Sequence, residues 1–487
     1  MSNDIRNLEP RALWNNFYSL TRIPRPSKNE DQIRNFLAEF GKKLQLETLV
    51  DRAGNVIIRK PATPGMENRK GVILQGHMDM VPQKNSDKQH DFNTDPIETL
   101  VDGEWVKANG TTLGADNGIG VAAAMAILES KDIPHGPIEV LITTDEETGM
   151  TGAQNLEPGI LQGDILLNLD SEDEGELYVG CAGGIDGTFT FSPQMEPVVG
   201  EVAAFALAVT GLKGGHSGLD INLGRANANK VLFRLLRHAH KEHGLRLARV
   251  EGGSLRNAIP REAFATVIVP ASEKEKFLKC FNHIVETIRK EYELAEPNFS
   301  FTCNPAAIPA QVIDKETQSR LINAVYACPN GVIRMSDAFL GVVETSTNLA
   351  NVKMENGHIK VLCLLRSSVD SAKQDLADMM ASVFELAGAT IDFSGSYPGW
   401  RPNPTSPILQ TMKEVYNQKF GRVPEVKVIH AGLECGILGA VYPHWDMISF
   451  GPTIRNPHSP DEKVHIGSVQ LFWDYLLETL KHVPVKE

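Results

Sequence analysis

Short apolar runs that break off at acids or histidines constrain this chain more than any other feature. Gly71–Gly76 leads into His77 and Asp79, Ile138–Thr143 into Glu146 and Glu147, and Ile165–Leu169 into Asp170. Unbroken apolar runs of this length read as strands buried on both faces. Between the first two lies Gly118–Ser130, a Gly/Ala/Met-rich segment that reads as a helix small enough to pack closely on a sheet. Strand, helix, strand in this order implies a three-layer α/β domain. Open sheets of that kind bind ligands at the carboxyl ends of their strands, where these acids and histidines stand. Asp116, in a Gly-flanked turn ahead of the helix, and His458, in N-P-H-S-P-D-E near the C-terminus, extend the set.

These residue types in this order suit a hydrolytic metal site. His77 and Asp79 are two apart, so on an extended segment both point to one side. One can ligate a metal while the other accepts the imidazole's second N–H. A carboxylate at Asp116, between Gly114 and Gly118, is placed to bridge two ions. Glu146 and Glu147 point in different directions, so one can bind metal while the other takes a proton from water. Asp170 and His458 would complete two sites that share Asp116. Mixed nitrogen and oxygen donors suit zinc, cobalt or manganese better than calcium. Each piece alone is common: His-x-Asp arises by chance, and a double Glu after a strand is usually solvated loop. The coincidence of all of them at strand ends carries the argument. By contrast, His238, His240 and His243 fall on a basic helix and read as surface.

At 487 residues the chain exceeds a single core, so two domains are expected. Ser27-Lys28-Asn29-Glu30 reads as a capping box that opens an amphipathic helix. Past residue 185 the texture changes. Glu201–Thr210 reads as a strand, Asn222–Gly244 as a helix, Glu262–Pro270 as a strand and Ser272–Tyr292 as a helix. A similar passage recurs at His358–Arg366, Asp370–Gly388 and Ala389–Phe393. The expected organisation is a first catalytic segment over 1–185, an inserted α+β domain with two related halves over 186–398, and a return to the first domain over 399–487. With 61 acidic against 48 basic residues the net charge is -13, which excludes nucleic acid as a partner. No apolar run reaches the roughly 18–20 residues of a membrane span, and the N-terminus lacks the regions of a signal peptide. The six cysteines form no C-x-x-C pair, so reduced thiols and a cytoplasmic location are expected.

Several segments closely resemble the di-zinc metallopeptidases that include desuccinylases, aminoacylases, peptidase T and carnosinases. They are G-H-M-D-M-V-P (76–82), G-A-D-N-G (114–118), T-D-E-E-T-G (144–149), the N-L-D-S-E strand end and the late P-H-S-P. A closer likeness, to members that cleave dipeptides with a C-terminal histidine, rests on D-G-E-W-V-K-A-N-G-T-T-L-G-A-D-N-G-I-G (102–120), L-K-G-G-H-S-G (212–218), L-R-N-A-I-P-R-E-A-F-A-T (255–266) and H-A-G-L-E-C-G (430–436). The resemblance implies a three-layer catalytic domain with an inserted α+β lid domain, and a homodimer. It implies that His77 and Asp170 hold one metal, Glu147 and His458 the other, and Asp116 both. It makes Asp79 the residue that orients His77, Glu146 the general base, and the Asp116–Asn117 peptide cis. It assigns His216, Asn257 and Arg366 to the substrate, and Glu434 is a candidate for the substrate's amino group. The implied reaction is hydrolysis of Xaa-His dipeptides, β-alanyl-histidine included. A broader dipeptidase or tripeptidase, an N-acyl amino acid deacylase, and a non-catalytic metal-binding module are the alternatives.

Overall fold

The computed structural model describes residues 4–486, which form two compact units. The first takes the chain up to Gly180, then Trp400–Val428, then the chain from Leu433 on; the second takes Cys181–Gly399 and Ile429–Gly432. The first unit is three-layered, and the second is α+β.

An eight-stranded sheet forms the centre of the first unit. Four parallel strands lie side by side at its middle, in the order Ile138–Thr143, Val72–His77, Ile165–Asn168 and Asp446–Ser449. Antiparallel strands flank them, Val56–Lys60 on one side and Glu176–Cys181 on the other. Every residue of Val72–His77, Ile138–Thr143 and Ile165–Asn168 is buried. Each large aliphatic side chain there contributes about 1.5–3 kcal/mol by leaving water. The register sets His77 beside Thr143 and Gln75 beside Asn168. All three segments therefore leave the sheet at one edge, and the acids and histidine that follow them are delivered together.

The helix Ala115–Glu129 packs against Val72–His77 and is buried along nearly its whole length. Small residues make that approach possible: a Cβ on Gly120 would lie 2.5 Å from the Leu169 carbonyl oxygen. Its first residues are not helical, with Asp116 at φ -79, ψ 110 and Asn117 at φ -105, ψ 28. The peptide between them is cis. The Asn117 amide donates to the Leu169 carbonyl at 2.7 Å, and its oxygen accepts the His77 N–H at 3.3 Å. The helix start is thereby stitched to two of the central strands.

Two local expectations fail, each for a tertiary reason. Ser27 caps no helix; its hydroxyl donates to Asp79 Oδ2 at 2.8 Å. The helix runs Asp31–Lys43 with Glu30 at its N-cap, and the Glu30 carboxylate accepts the Lys28 N–H. The basic helix starts at Ala228, after Asn227, whose side chain caps the Lys230 N–H. Residues ahead of it are drawn away by Arg225, which donates to the Gly214 carbonyl and pairs with Asp220.

The second unit is built on one antiparallel sheet of nine strands, with Ser300–Pro305 and Thr390–Tyr397 at the two ends of its path. Helices Ala228–His243, Lys274–Glu291, Lys315–Ala327 and Asp370–Leu386 contribute Leu232, Phe277, Leu321 and Phe384 to a single apolar core. Phe189 and Phe384 stack there with ring centroids 3.8 Å apart. Among the described residues, no helix is long and apolar enough to cross a membrane. Because Phe384 is fully buried, Phe384→Ala is expected to destabilise the second unit by about 3–5 kcal/mol, read by denaturant unfolding. A loss below about 1 kcal/mol would contradict this packing.

Candidate metal centre

His77 closes its strand almost without solvent contact. Its Nε2 lies 3.0 Å from Asp116 Oδ1 and 3.4 Å from Asp170 Oδ1, and its Nδ1 lies 3.3 Å from Asp79 Oδ1. The other oxygen of Asp116, Oδ2, lies 3.2 Å from His458 Nε2, which is itself 3.0 Å from Glu147 Oε2. Asp116 thus turns one oxygen toward each histidine. The donor atoms of His77–Asp116–Asp170 lie within 4.8 Å of one another, and so do those of Asp116–Glu147–His458. A third overlapping group joins His77, Glu146 and Glu147. Glu147 Oε1 and Asp170 Oδ1 are buried without a hydrogen-bond partner among the described residues. Buried polar atoms are normally satisfied. Converging carboxylate oxygens and imidazole nitrogens therefore fit two divalent cations of the zinc, cobalt or manganese kind.

The electrostatics lead the same way. Burial opposes protonation of His77, yet Asp170, Asp116 and Asp79 around it hold its pKa well above the usual imidazole range. Hydrogen bonds to Asp116 and Glu147 push His458 up to about 11. Burial, reinforced by the charges of Asp116 and Glu146, raises the Asp170 carboxyl against the pull of His77. Glu146 is pushed up to about 8, first by burial, with His77 opposing and Glu434, Glu147 and Asp116 adding to it. So many buried carboxylates at close range call for positive charge from outside the chain.

Asp79 is lowered to about 2: burial works against ionisation, but His77, the Ser27 hydroxyl and the Glu146 N–H outweigh it. Its two oxygens accept the N–H groups of Glu146 and Glu147 at 3.0 and 3.2 Å. One side chain therefore stands by His77 and also sets the turn that carries both glutamates. Sequence reasoning missed Ser27, Arg25 and Glu462 in this setting. Ser27 reads as a helix cap by its local pattern, and its hydroxyl goes to Asp79 instead. Glu462 lay inside the P-H-S-P-D-E motif without a role, and it accepts the N–H groups of Leu113, Gly114, Ala115 and Asp116. Contacts to backbone N–H groups leave no residue pattern to read.

Glu434 opens the helix Glu434–Val441 and is buried. Its Oε2 accepts from Gln75 at 2.7 Å and from Thr143 at 2.8 Å, whereas Oε1 has no partner among the described residues. Burial pushes its pKa up to about 7. Within the second unit, His216 pairs with Ala258 in a two-stranded ribbon, and the exposed Asn257, one residue before Ala258, accepts the Ser217 N–H with its carbonyl at 2.8 Å. Arg366 is 5% exposed; it donates to the Tyr397 hydroxyl at 3.1 Å, and its Nε has no partner among the described residues.

Residues 73–482 match the model of peptidase family M20/M25/M40. The chain belongs to this family. It is a metal-dependent hydrolase, a dipeptidase. It is 47% identical over 483 residues to the cytosol non-specific dipeptidase of Escherichia coli (strain K12), covering 99% of this chain and 100% of that protein. The crystal structure of aminoacylhistidine dipeptidase from Vibrio alginolyticus superposes with a TM-score of 0.97 at 52% identity, over 99% of both chains. Aminopeptidase PepT from Bacillus cereus shares the fold at a TM-score of 0.56 and 16% identity, over 98% of this chain and 99% of that one.

On this geometry, Asp170→Asn and His458→Ala are each expected to cost one of two tightly bound metal ions, and Asp116→Asn to weaken both. Metal analysis of stripped and reloaded protein checks this. Wild-type metal content in all three variants would contradict it.

Proposed function

We propose that this dipeptidase hydrolyses dipeptides with histidine at the C-terminus, β-alanyl-histidine included, with two divalent ions per chain and Glu146 as general base. Zinc is the first choice of metal, and cobalt or manganese are the alternatives. The observation that carries the reading is Asp116 set between His77 and His458, with Glu146 close enough to feel both His77 and Asp116. His77, Asp116 and Asp170 would hold one ion, and Asp116, Glu147 and His458 the other. When bound, the ions supply Lewis acidity toward the scissile carbonyl and a water of lowered pKa. Glu146 takes the proton of the attacking water and delivers it to the departing amine. Such transfer contributes typically about 10²–10⁴-fold. Asp79 orients His77 and holds the glutamate turn.

Substrate recognition is assigned to Arg366, His216, Asn257 and Glu434. A dipeptide carries a free carboxylate, and a buried Arg366 with an unpaired Nε suits bidentate capture of one. Desolvation, together with the nearby Arg366 charge, lowers the His216 pKa. A neutral imidazole can donate one hydrogen bond to a developing oxyanion. The unpaired Oε1 of Glu434 suits an ammonium group. The name of the Vibrio alginolyticus relative favours histidine at the C-terminal position. That of the Escherichia coli relative favours a second reading, a dipeptidase of broader range. A homodimer in the cytoplasm completes the proposal, and light scattering tests the dimer.

Two measurements test the reading. Zinc-loaded protein is expected to release histidine from alanyl-histidine and β-alanyl-histidine faster than it cleaves alanyl-leucine, a tripeptide or an N-acetyl amino acid, and chelator is expected to abolish all turnover. Comparable cleavage of alanyl-leucine would move the assignment to the broader dipeptidase. Glu146→Gln is expected to slow turnover by about 10²–10⁴-fold while both ions stay bound; an unchanged rate would remove Glu146 from the mechanism.

A further inference from the structure

Two fully buried, opposite charges lie behind the metal centre and touch none of the proposed substrate groups. Arg25 and Glu462 are each 2% exposed. The Arg25 guanidinium donates to the carbonyls of Met78 and Asp79 at 3.1 and 2.9 Å, and to that of Gly114 at 2.5 Å. Glu462 faces the same turn from its N–H side. Oε2 accepts from Leu113 and Gly114 at 2.7 and 2.9 Å, and Oε1 from Ala115 and Asp116 at 2.8 and 3.2 Å. Burying a charge is costly unless it is fully hydrogen-bonded. Here each one spends its hydrogen bonds on the backbone of segments that carry metal-binding candidates.

We propose that Arg25 and Glu462 are positioning residues that hold the candidate ligands His77, Asp116 and His458 in place for metal, by tying three distant segments into one rigid frame around Asp116. This assignment rests on the metal-centre reading above. Arg25 links the end of the strand that delivers His77 and Asp79 to the turn that delivers Asp116. Glu462 links that same turn to the loop bearing His458, four positions earlier in the chain. The sequence separation across the Glu462 contacts, from 346 to 349 residues, shows that no local structure makes this link. Gly114 and Gly118 fit the same scheme. A Cβ on Gly114 would sit 2.5 Å from an Arg25 terminal nitrogen, and one on Gly118 2.7 Å from it. The turn is glycine-flanked because the guanidinium fills the space where side chains would be. Gly114 also adopts φ +70, which other residues rarely do.

The alternative is that both residues only stabilise the fold. Cobalt binding separates the two, because a purely structural role leaves the metal constants of the folded protein unchanged. Apo wild type, Glu462→Gln and Arg25→Lys are titrated with Co²⁺ alone, following visible absorbance, with thermal unfolding of each apo protein alongside. The Gln side chain keeps the shape but has one acceptor oxygen in place of two. Lysine keeps the charge but loses the planar fork. Wild type is expected to bind two Co²⁺. Each variant is expected to bind at least one of them about 10–100-fold more weakly, the usual cost of removing an outer support of a metal site, with an altered absorption spectrum. Glu462→Asp, which retains the carboxylate on a shorter stem, is expected to fall between wild type and Glu462→Gln. Wild-type constants and spectra in both variants, with only a lower melting temperature, would overturn the proposal. Should Glu462→Gln not fold, Arg25→Lys and Glu462→Asp carry the same comparison. Failure of the wild type to bind two Co²⁺ would instead overturn the metal-centre reading, and this one with it.

Discussion

Asp116 faces two histidines with its two oxygens, and most of the architecture of the first unit serves that arrangement. Around it, Asp79, Glu146, Glu147 and Asp170 crowd into a space from which water is largely excluded. Buried like charges at this density repel, and burial alone drives carboxylates toward their neutral form. The crowding shows in the direction of the shifts: the carboxylates raise His77 and His458, and burial raises the carboxyls of Glu146 and Asp170. Divalent cations would relieve it directly. Metal binding and the integrity of this sheet edge would then be coupled, since the candidate ligand groups come from segments far apart in sequence.

The parallel centre of the sheet explains why acids and histidines distant in sequence gather here. Parallel strands are aligned by register: Val72–His77 and Ile138–Thr143 end level, and Ile165–Asn168 ends beside Gln75, two residues earlier. Whatever follows them in sequence is gathered at one edge. The polar lining continues under the cluster through Gln75, Asn168 and Ser449, which hydrogen-bond in series beneath Glu434. Such networks rigidify a site when every member is satisfied. The unpaired Oε1 of Glu434 is the exception, and an exception of this kind belongs where a ligand is expected.

Much of this was legible in the sequence, and the reason lies in the fold class. Buried parallel strands read as unbroken apolar runs, so the run Ile138–Thr143 coincides with its strand to the residue. Residues that stop such runs are conspicuous, and the seven picked at strand ends and turns all lie in one cluster. What escaped was set by long-range contact. Ser27 looks like a helix cap because its local pattern is right, and Asp79 takes its hydroxyl instead. The helix start moved from Asn222 to Ala228 because Arg225 is engaged elsewhere. Arg25 and Glu462 act on backbone carbonyls and N–H groups that any residue could supply, so no spacing announces them. The His216, Asn257 and Arg366 assignments came from resemblance alone, because strand-end charges in an α+β sheet carry no chemical signature.

The most direct test of the central claim is a crystal structure of the zinc-loaded protein with anomalous diffraction collected at the zinc edge. The account predicts two peaks per chain, separated by about 3.5–4 Å as in other two-metal sites. One oxygen of Asp116 should reach each peak, with His77 and Asp170 on one side and Glu147 and His458 on the other. A single peak, or two peaks of which only one contacts Asp116, would contradict it.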